Sequence, residues 1–317
     1  MMAPGGHRGR RGFTLVELLL AMIAGIVVLG ASTSLVLGSM RGMRGTELRD
    51  GIERRARFTG IALQRDVQLT GVAIDSRPTF GTIGTFADTL VMLRAPFLSP
   101  VPGDPEEPAI SYARTALLPL ASGVGNCGAF CLEVTRQAGE TFQINPGQLA
   151  YVELNSNVRR LIRVTAVAFP GATRARITFA NTARILGHSA GVVGVDLRKP
   201  FTVRTLRAVA FYRNAQNQLL RADSTDNAGN AVPQVIATGV QSWDAALVFL
   251  NGVEADVADP DTDGDPDNNY DDIARVHVWA TLAADRADPR VNNGVVLTRR
   301  VDWWLTPRNL VYERNRL

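Results

Sequence analysis

Seven carboxylates and no cation stand in the run Asp259-Pro260-Asp261-Thr262-Asp263-Gly264-Asp265-Pro266-Asp267-Asn268-Asn269-Tyr270-Asp271-Asp272. Like charge at that density repels itself unless water or a cation neutralises it. Asp259, Asp261 and Asp263 alternate and Gly264 follows. That matches the first half of a loop in which alternate oxygens wrap Ca2+ and glycine makes the sharp turn. The match then breaks. The twelfth position is Tyr270 instead of a bidentate glutamate, although Asp271 and Asp272 are adjacent, and no helix pair flanks the run. Two readings stand side by side: a calcium loop of the kind found in extracellular β proteins, using Asp259, Asp261, Asp263, Asp265, Asp267 and Asp271, or a solvated acidic loop. Either would join two strands. Calcium is the one cofactor expected, and none is required.

Other reactive side chains are sparse. Cys127 and Cys131 are the only cysteines. Outside the cytoplasm they would close a tight disulfide loop; as free thiols they would simply be buried. His7, His188 and His277 are scattered, so the cysteines lack partners for a zinc site. Ser189 beside His188 has no nucleophile-elbow context. Gly191-Val192-Val193-Gly194 is too short to cradle a phosphate. No catalytic set emerges, and the expectation is a protein that is not an enzyme.

The N-terminus is more informative. Arg8, Arg10 and Arg11 precede Gly12-Phe13-Thr14-Leu15-Val16-Glu17, and the 21 residues from Leu18 to Gly38 carry no formal charge. Some 20 apolar residues make roughly 30 Å of helix, the thickness of a bilayer core. Glu17 at the lip of that helix is a costly ionisable group that calls for a partner. A secretory signal peptide cut near Ala31-Ser32-Thr33 and a plain signal anchor are alternative readings. The first expects a shorter apolar core without Glu17.

The hexapeptide behind a basic leader resembles the class III signal of type IV pilins and type II secretion pseudopilins. The resemblance implies cleavage after Gly12 by a membrane-embedded prepilin peptidase, then methylation of the new amino group of Phe13. It implies pairing of Glu17 with the N-terminus of a neighbouring subunit during assembly. Glycine before the scissile bond leaves the backbone open to approach, and the basic leader stays cytoplasmic by the positive-inside rule.

Residues 13 to about 70 read as one helix, apolar and then amphipathic. Met43, Leu48, Ile52, Ala56, Leu63 and Val67 recur at near-helical spacing. Gly38, Gly42, Gly45 and Gly51 predict a weak stretch over 38–51, since each costs about 1 kcal/mol against alanine. Glycine is also commonly tolerated near a membrane. Gly71 closes the helix. Beyond it the texture becomes β-rich. Strands are expected near 88–94, 131–136, 149–154, 160–168, 175–179, 203–213, 218–222, 240–250, 273–282 and 294–304, with a hairpin around Asn214-Ala215-Gln216-Asn217. The proline-rich run 99–108 is expected to form a surface loop with no ladder. Adjacent Trp303 and Trp304 should face opposite sides of their strand.

These readings combine into an α+β, pilin-like organisation. Residues 1–12 form a leader, 13–39 a transmembrane half-helix, 40–71 an amphipathic half, and 72–317 a large antiparallel β-rich head outside the cytoplasm. Leu63, Asp66 and Gly71, and a final strand followed by Arg308-Asn309, resemble PilW-type minor pilins and J-type pseudopilins. The resemblance implies a structural subunit that primes or caps pilus assembly, in twitching motility, adhesion or DNA uptake. It would sit in the inner membrane before assembly and at the cell surface afterwards, with other pilins and the prepilin peptidase as partners. A J-class pseudopilin of type II secretion and a ligand-binding tip adhesin are the alternatives. Formal charge is 34 basic against 30 acidic residues. Losing residues 1–12 removes three arginines and leaves +1, so nucleic acid is not an expected partner.

Overall fold

Thr14 sets the start of α1, which runs unbroken from Leu15 to Leu69, 55 residues. At 1.5 Å per residue that is about 80 Å. The computed structural model describes residues 14–74, 76–86, 88–99, 103–114, 130–154, 158–191, 200–225, 230–258, 268–289 and 291–310. They form two compact units, and the division cuts the helix. Residues up to Gly51 join Arg286–Leu297 in the first, and Ile52–Asp285 joins the residues from Thr298 onward in the second.

In the first unit every described residue from Thr14 to Met43 is exposed. This is one helix long and apolar enough to cross a membrane. Two of its hydroxyls bond back within the helix: Thr33 Oγ1 donates to the Leu29 carbonyl at 2.7 Å and Thr46 Oγ1 to that of Gly42 at 3.1 Å. The helix passes through Gly38, Gly42, Gly45 and Gly51 without a break, so the predicted weak stretch is fully helical. Arg44 pairs with Asp288 at 3.8 Å.

In the second unit, Ile52, Ala56, Thr59, Leu63, Asp66 and Val67 form the buried stripe of the remaining helix. Gly71, at φ +77°, ends it; a Cβ there would stand 3.3 Å from both Leu310 Cδ2 and Thr82 Oγ1. The strands that follow are β1 (Ile83–Phe86), β2 (Thr89–Arg94), β3 (Phe97–Leu98), β4 (Glu107–Pro108), β5 (Tyr112–Arg114), β6 (Cys131–Thr135), β7 (Leu149–Leu154), β8 (Val158–Gly171) and β9 (Arg174–Phe179). Then come β10 (Arg184–Ile185), β11 (His188–Ser189), β12 (Phe201–Arg213), β13 (Gln218–Thr225), β14 (Ala231–Thr238), β15 (Val240–Phe249), β16 (Glu254–Ala255), β17 (Ile273–Ala283) and β18 (Thr298–Leu305).

Among the described residues, a ten-stranded sheet has the path β1-β2-β12-β7-β8-β9-β6, with β13, β14 and β5 off it. Its spine is β12. Phe201–Leu206 pairs with β7, whereas Arg207–Phe211 pairs with β2 and Ala210–Arg213 with β13. Thr205 and Leu206 are both buried where the partner changes, so both faces of the strand are covered there. A second sheet, β16-β15-β17-β18, is antiparallel throughout.

The expected α+β arrangement of a long helix and an antiparallel β-rich head is thus present. The hairpin falls where the sequence places it. Asn217 adopts φ +57°, and Asn214 Oδ1 accepts the amides of Gln216 and Gln218. One expectation needs correction. The end of the 99–108 run does form a ladder, as Glu107–Pro108 pairs antiparallel with Phe97–Leu98. Pro108 is tolerated because this two-residue ladder is exposed and demands no amide from it.

His188 lies buried between two rings, 4.7 Å from Phe80 and 5.2 Å from Tyr270, beside a cavity of about 300 Å³. Tyr270 reaches that place because Gly81 has no side chain; a Cβ there would come within 2.1 Å of Tyr270 Cδ1. Burial drops the His188 pKa to about 4, against a smaller opposing effect of its hydrogen bond with the Gly81 backbone. The unfolded chain binds this proton more readily than the folded one. The neutral imidazole therefore contributes its full stability above pH 6.5, and the contribution is lost as pH falls toward 4, by at most about 3 kcal/mol. Urea unfolding at pH 7 and pH 4.5 should show a larger loss for the native chain than for His188→Phe, which keeps the ring stack. Equal losses would contradict this.

Candidate functional site

The site is α1 itself, exposed at one end and fastened at the other. At the exposed end Thr14 is the N-cap and Glu17 the third helical residue. Glu17 Oε2 accepts from the Thr14 amide at 3.0 Å and from Thr14 Oγ1 at 3.1 Å, while the Glu17 amide donates back to Thr14 Oγ1 at 3.3 Å. This is a capping box, which satisfies helix donors that otherwise have no partner. The sequence reading looked for a distant cation for Glu17 and missed Thr14, although Ser/Thr-x-x-Glu before an apolar run is the signal for it. Beyond the cap, Leu15 to Met43 presents a continuous exposed apolar surface, of a size that marks a membrane or partner site.

At the fastened end a buried carboxylate organises the packing. Asp66 is 2 % exposed. Arg221 on β13 grips it with both arms of its fork, Nε to Oδ2 at 2.6 Å and Nη2 to Oδ1 at 3.1 Å. Arg94 on β2 approaches Oδ1 at 3.7 Å. Arg221 also donates to Asp223 at 2.7 Å, and Arg207 reaches the same oxygen at 3.1 Å. Hydrogen bonding to Asp66 raises the Arg221 pKa. Burial alone would raise that of Asp223, but the hydrogen bond and charge of Arg221 outweigh it and leave it lowered. Arg94 is lowered by burial, only partly offset by Asp66.

Further contacts extend the grip along the helix. Arg55 donates to the carbonyls of Thr238 and Ala283 at 2.8 Å each and to Asp285 at 2.8 Å. Glu53 pairs with Arg299. Gly60 admits Trp303, since a Cβ would stand 2.6 Å from the indole nitrogen. Asn309 Nδ2 donates to the carbonyls of Gln68 and Thr70 at 3.0 Å each. That caps the helix C-terminus from the far end of the chain and gives the Arg308-Asn309 pair a physical role.

Of the residues picked from the sequence, Gly12, Phe13, Cys127, Asp259, Asp261, Asp263, Asp265 and Asp267 lie outside the described residues. Cys131 opens β6, buried and disulfide-bonded. Asp271 lies in a short 3-10 turn, Tyr270–Asp272. Trp303 and Trp304 do take opposite faces: Trp303 packs on the helix at Gly60 and Trp304 is 55 % exposed.

Residues 7–33 match the family described as the prokaryotic N-terminal methylation motif. The match covers the leader and the start of the apolar helix and none of the head. It supports a type IV pilin-like protein, anchored by its helix, processed by prepilin peptidase and assembled with other pilins. No curated protein and no solved structure matches the chain.

Removing one partner of a buried pair leaves an uncompensated charge and costs about 3–5 kcal/mol. Asp66→Ala should therefore lower the unfolding free energy of the head by about 3 kcal/mol or more. Arg221→Ala should cost a similar amount, and the double variant much less than the sum. Urea unfolding of the three variants checks this; additive or negligible losses would contradict it.

Proposed function

We propose that the chain is a minor type IV pilin, a structural subunit that primes or caps pilus assembly. The observation that carries the reading is the methylation motif at residues 7–33 leading directly into a helix whose apolar residues are all exposed from Leu15 to Met43. Such a helix needs a bilayer before assembly and a helix bundle afterwards. The head is large for a part repeated along a whole filament, which favours a minor position at a tip or priming complex. In this account the basic leader stays in the cytoplasm and the head faces the periplasm until assembly carries it to the cell surface. Cleavage after Gly12 frees the Phe13 amine for methylation. Glu17 then exchanges its cap for the N-terminal amine of a neighbouring subunit, since a carboxylate entering an apolar bundle needs a cation. We assign no reaction to the chain. A J-class pseudopilin of type II secretion would use the same helix in the same way. A head that binds a ligand at the filament tip is the alternative of another kind.

We further propose that the acidic run binds Ca2+. Among the described residues no group of three or more His, Cys, Asp or Glu is arranged to hold a metal. What supports the reading is Asn268 Oδ1 and Asn269 Oδ1, buried oxygens at the end of the run without a hydrogen-bond partner among the described residues. Hard oxygen ligands of this kind suit Ca2+. The ion would neutralise the carboxylates and order the connection into β17.

Intact-mass spectrometry of the membrane-extracted protein tests the first proposal. With the host peptidase present the chain should lack residues 1–12 and carry one added methyl group; without the peptidase it should be full length. An uncut chain, or a cut near Ala31, would contradict it. For calcium, raising the ion to a hundredfold excess over its Kd should stabilise the head by about 2.7 kcal/mol relative to chelator. An unchanged thermal midpoint would contradict that proposal.

A further inference from the structure

The face of β18 opposite to Trp303 carries Trp304 and holds a compact set of side chains with no hydrogen bond to the helix. Across the β17–β18 ladder His277 stands opposite Trp304, and Trp279 opposite Asp302. The His277 imidazole lies flat against the Trp304 indole, with centroids 3.9 Å apart and planes 7° from parallel. It is fixed at both nitrogens, by Glu254 Oε1 at 2.6 Å from Nδ1 and Asp302 Oδ1 at 3.3 Å from Nε2. The small Ala246 opposite His277 on β15 leaves room for Glu254 to reach across from β16. Trp279 packs 4.8 Å from the same imidazole, and the Arg300 guanidinium lies 5.6 Å over the Trp279 ring. An edge-strand tryptophan is thus braced on one face by a ring that is itself held in place.

The hydrogen-bonding capacity left over is equally specific. Arg300 contacts Asp302 through Nε at 3.2 Å and Nη2 at 3.1 Å, both to Oδ1, the oxygen that also meets His277. Among the described residues Asp302 Oδ2, Glu254 Oε2 and Arg300 Nη1 therefore have no partner. Two acceptors and one donor stand beside a rigid indole. In β15, β17 and β18, Trp304 is the one large apolar side chain that is strongly exposed, so the face lacks the broad apolar core of a protein interface.

We infer that this face binds a neutral saccharide chain. A pyranose ring offers a flat C–H surface to the indole. Its adjacent hydroxyls both donate and accept, which suits a carboxylate oxygen and a guanidinium N–H side by side. A sugar hydroxyl donating to Asp302 Oδ2 while a vicinal one accepts from Arg300 Nη1 uses the groups left open. The rigid platform keeps the ordering cost low. An anionic sugar is disfavoured by Glu254 and Asp302 at the rim. The inference rests on the geometry of β16–β18 and stands whether the chain assembles into a pilus or a pseudopilus.

The test is a tryptophan-fluorescence titration of the full chain in an amine-oxide detergent, which carries no sugar head group. Maltotriose, cellotriose and N,N′,N″-triacetylchitotriose are the probes, with trigalacturonate as the charged control. At least one neutral trisaccharide should bind saturably and more tightly than trigalacturonate. Trp304→Ala should weaken it by roughly tenfold or more, and Arg300→Leu, an exposed change that spares the fold, should weaken it in the same direction. Failure of all three neutral probes overturns the inference, as does binding unchanged in both variants. A concentration-dependent dimer that Trp304→Ala abolishes, with no saccharide bound, would reassign the face to a second copy of this chain.

Discussion

Within its 55 residues α1 buries side chains only from Ile52 onward, and what fixes that last third is the buried carboxylate of Asp66. Apolar packing through Ile52, Ala56, Leu63 and Val67 supplies area, but area is tolerant of rotation and sliding. The bidentate Arg221–Asp66 pair is not. A planar fork meeting a planar carboxylate fixes the helix in azimuth and in height against β13. Burying these charges costs desolvation, so their net stabilisation is modest. Their value lies in excluding other registers, because any shift strands a charge in the core.

Around that pair the other contacts are consistent. Asn309 closes the helix carbonyls, and Gly71 turns the chain where a side chain would crowd Leu310 and Thr82. Gly60 lets Trp303 lie against the helix. Arg55 ties the next turns to the β14–β15 corner and the end of β17. Strands early, midway and late in the chain all converge on one helix segment. N-terminal to Gly51 the helix is committed differently. Its apolar side chains are exposed within its own unit, and its capping box satisfies Glu17.

Much of the fold was readable in advance. Short β-rich runs set off by Gly, Pro, Asn and Asp marked β6, β7 and β9 to within a residue, and α1 followed from its length and period. Two of the strands that went unseen lack a local signal, each for its own reason. β14 is exposed over most of its length and contains Pro233, so it shows no alternation. β1 is four residues with Gly84 inside it and reads as a loop. Glycines 38–51 argued for a weakened helix because propensity is a local quantity; here it did not break the helix. The site divides in the same way. The leader motif and Glu17 are legible because their chemistry is contiguous. The Asp66–Arg221 pair spans 155 residues, and no local pattern announces it. Trp303 and Trp304 were separable by strand parity, but the imidazole brace beneath Trp304 depends on register between strands.

α1 divides near Gly51 into a segment packed on the head and a largely exposed apolar segment. Hydrogen–deuterium exchange resolved along α1, in the detergent-solubilised full chain, addresses it directly. Amides from Ile52 to Leu69 should exchange only with global opening of the head, while those from Gly42 to Gly51, beyond the micelle, should exchange orders of magnitude faster. Uniform protection across Gly51, or rapid exchange between Ile52 and Leu69, would contradict the account.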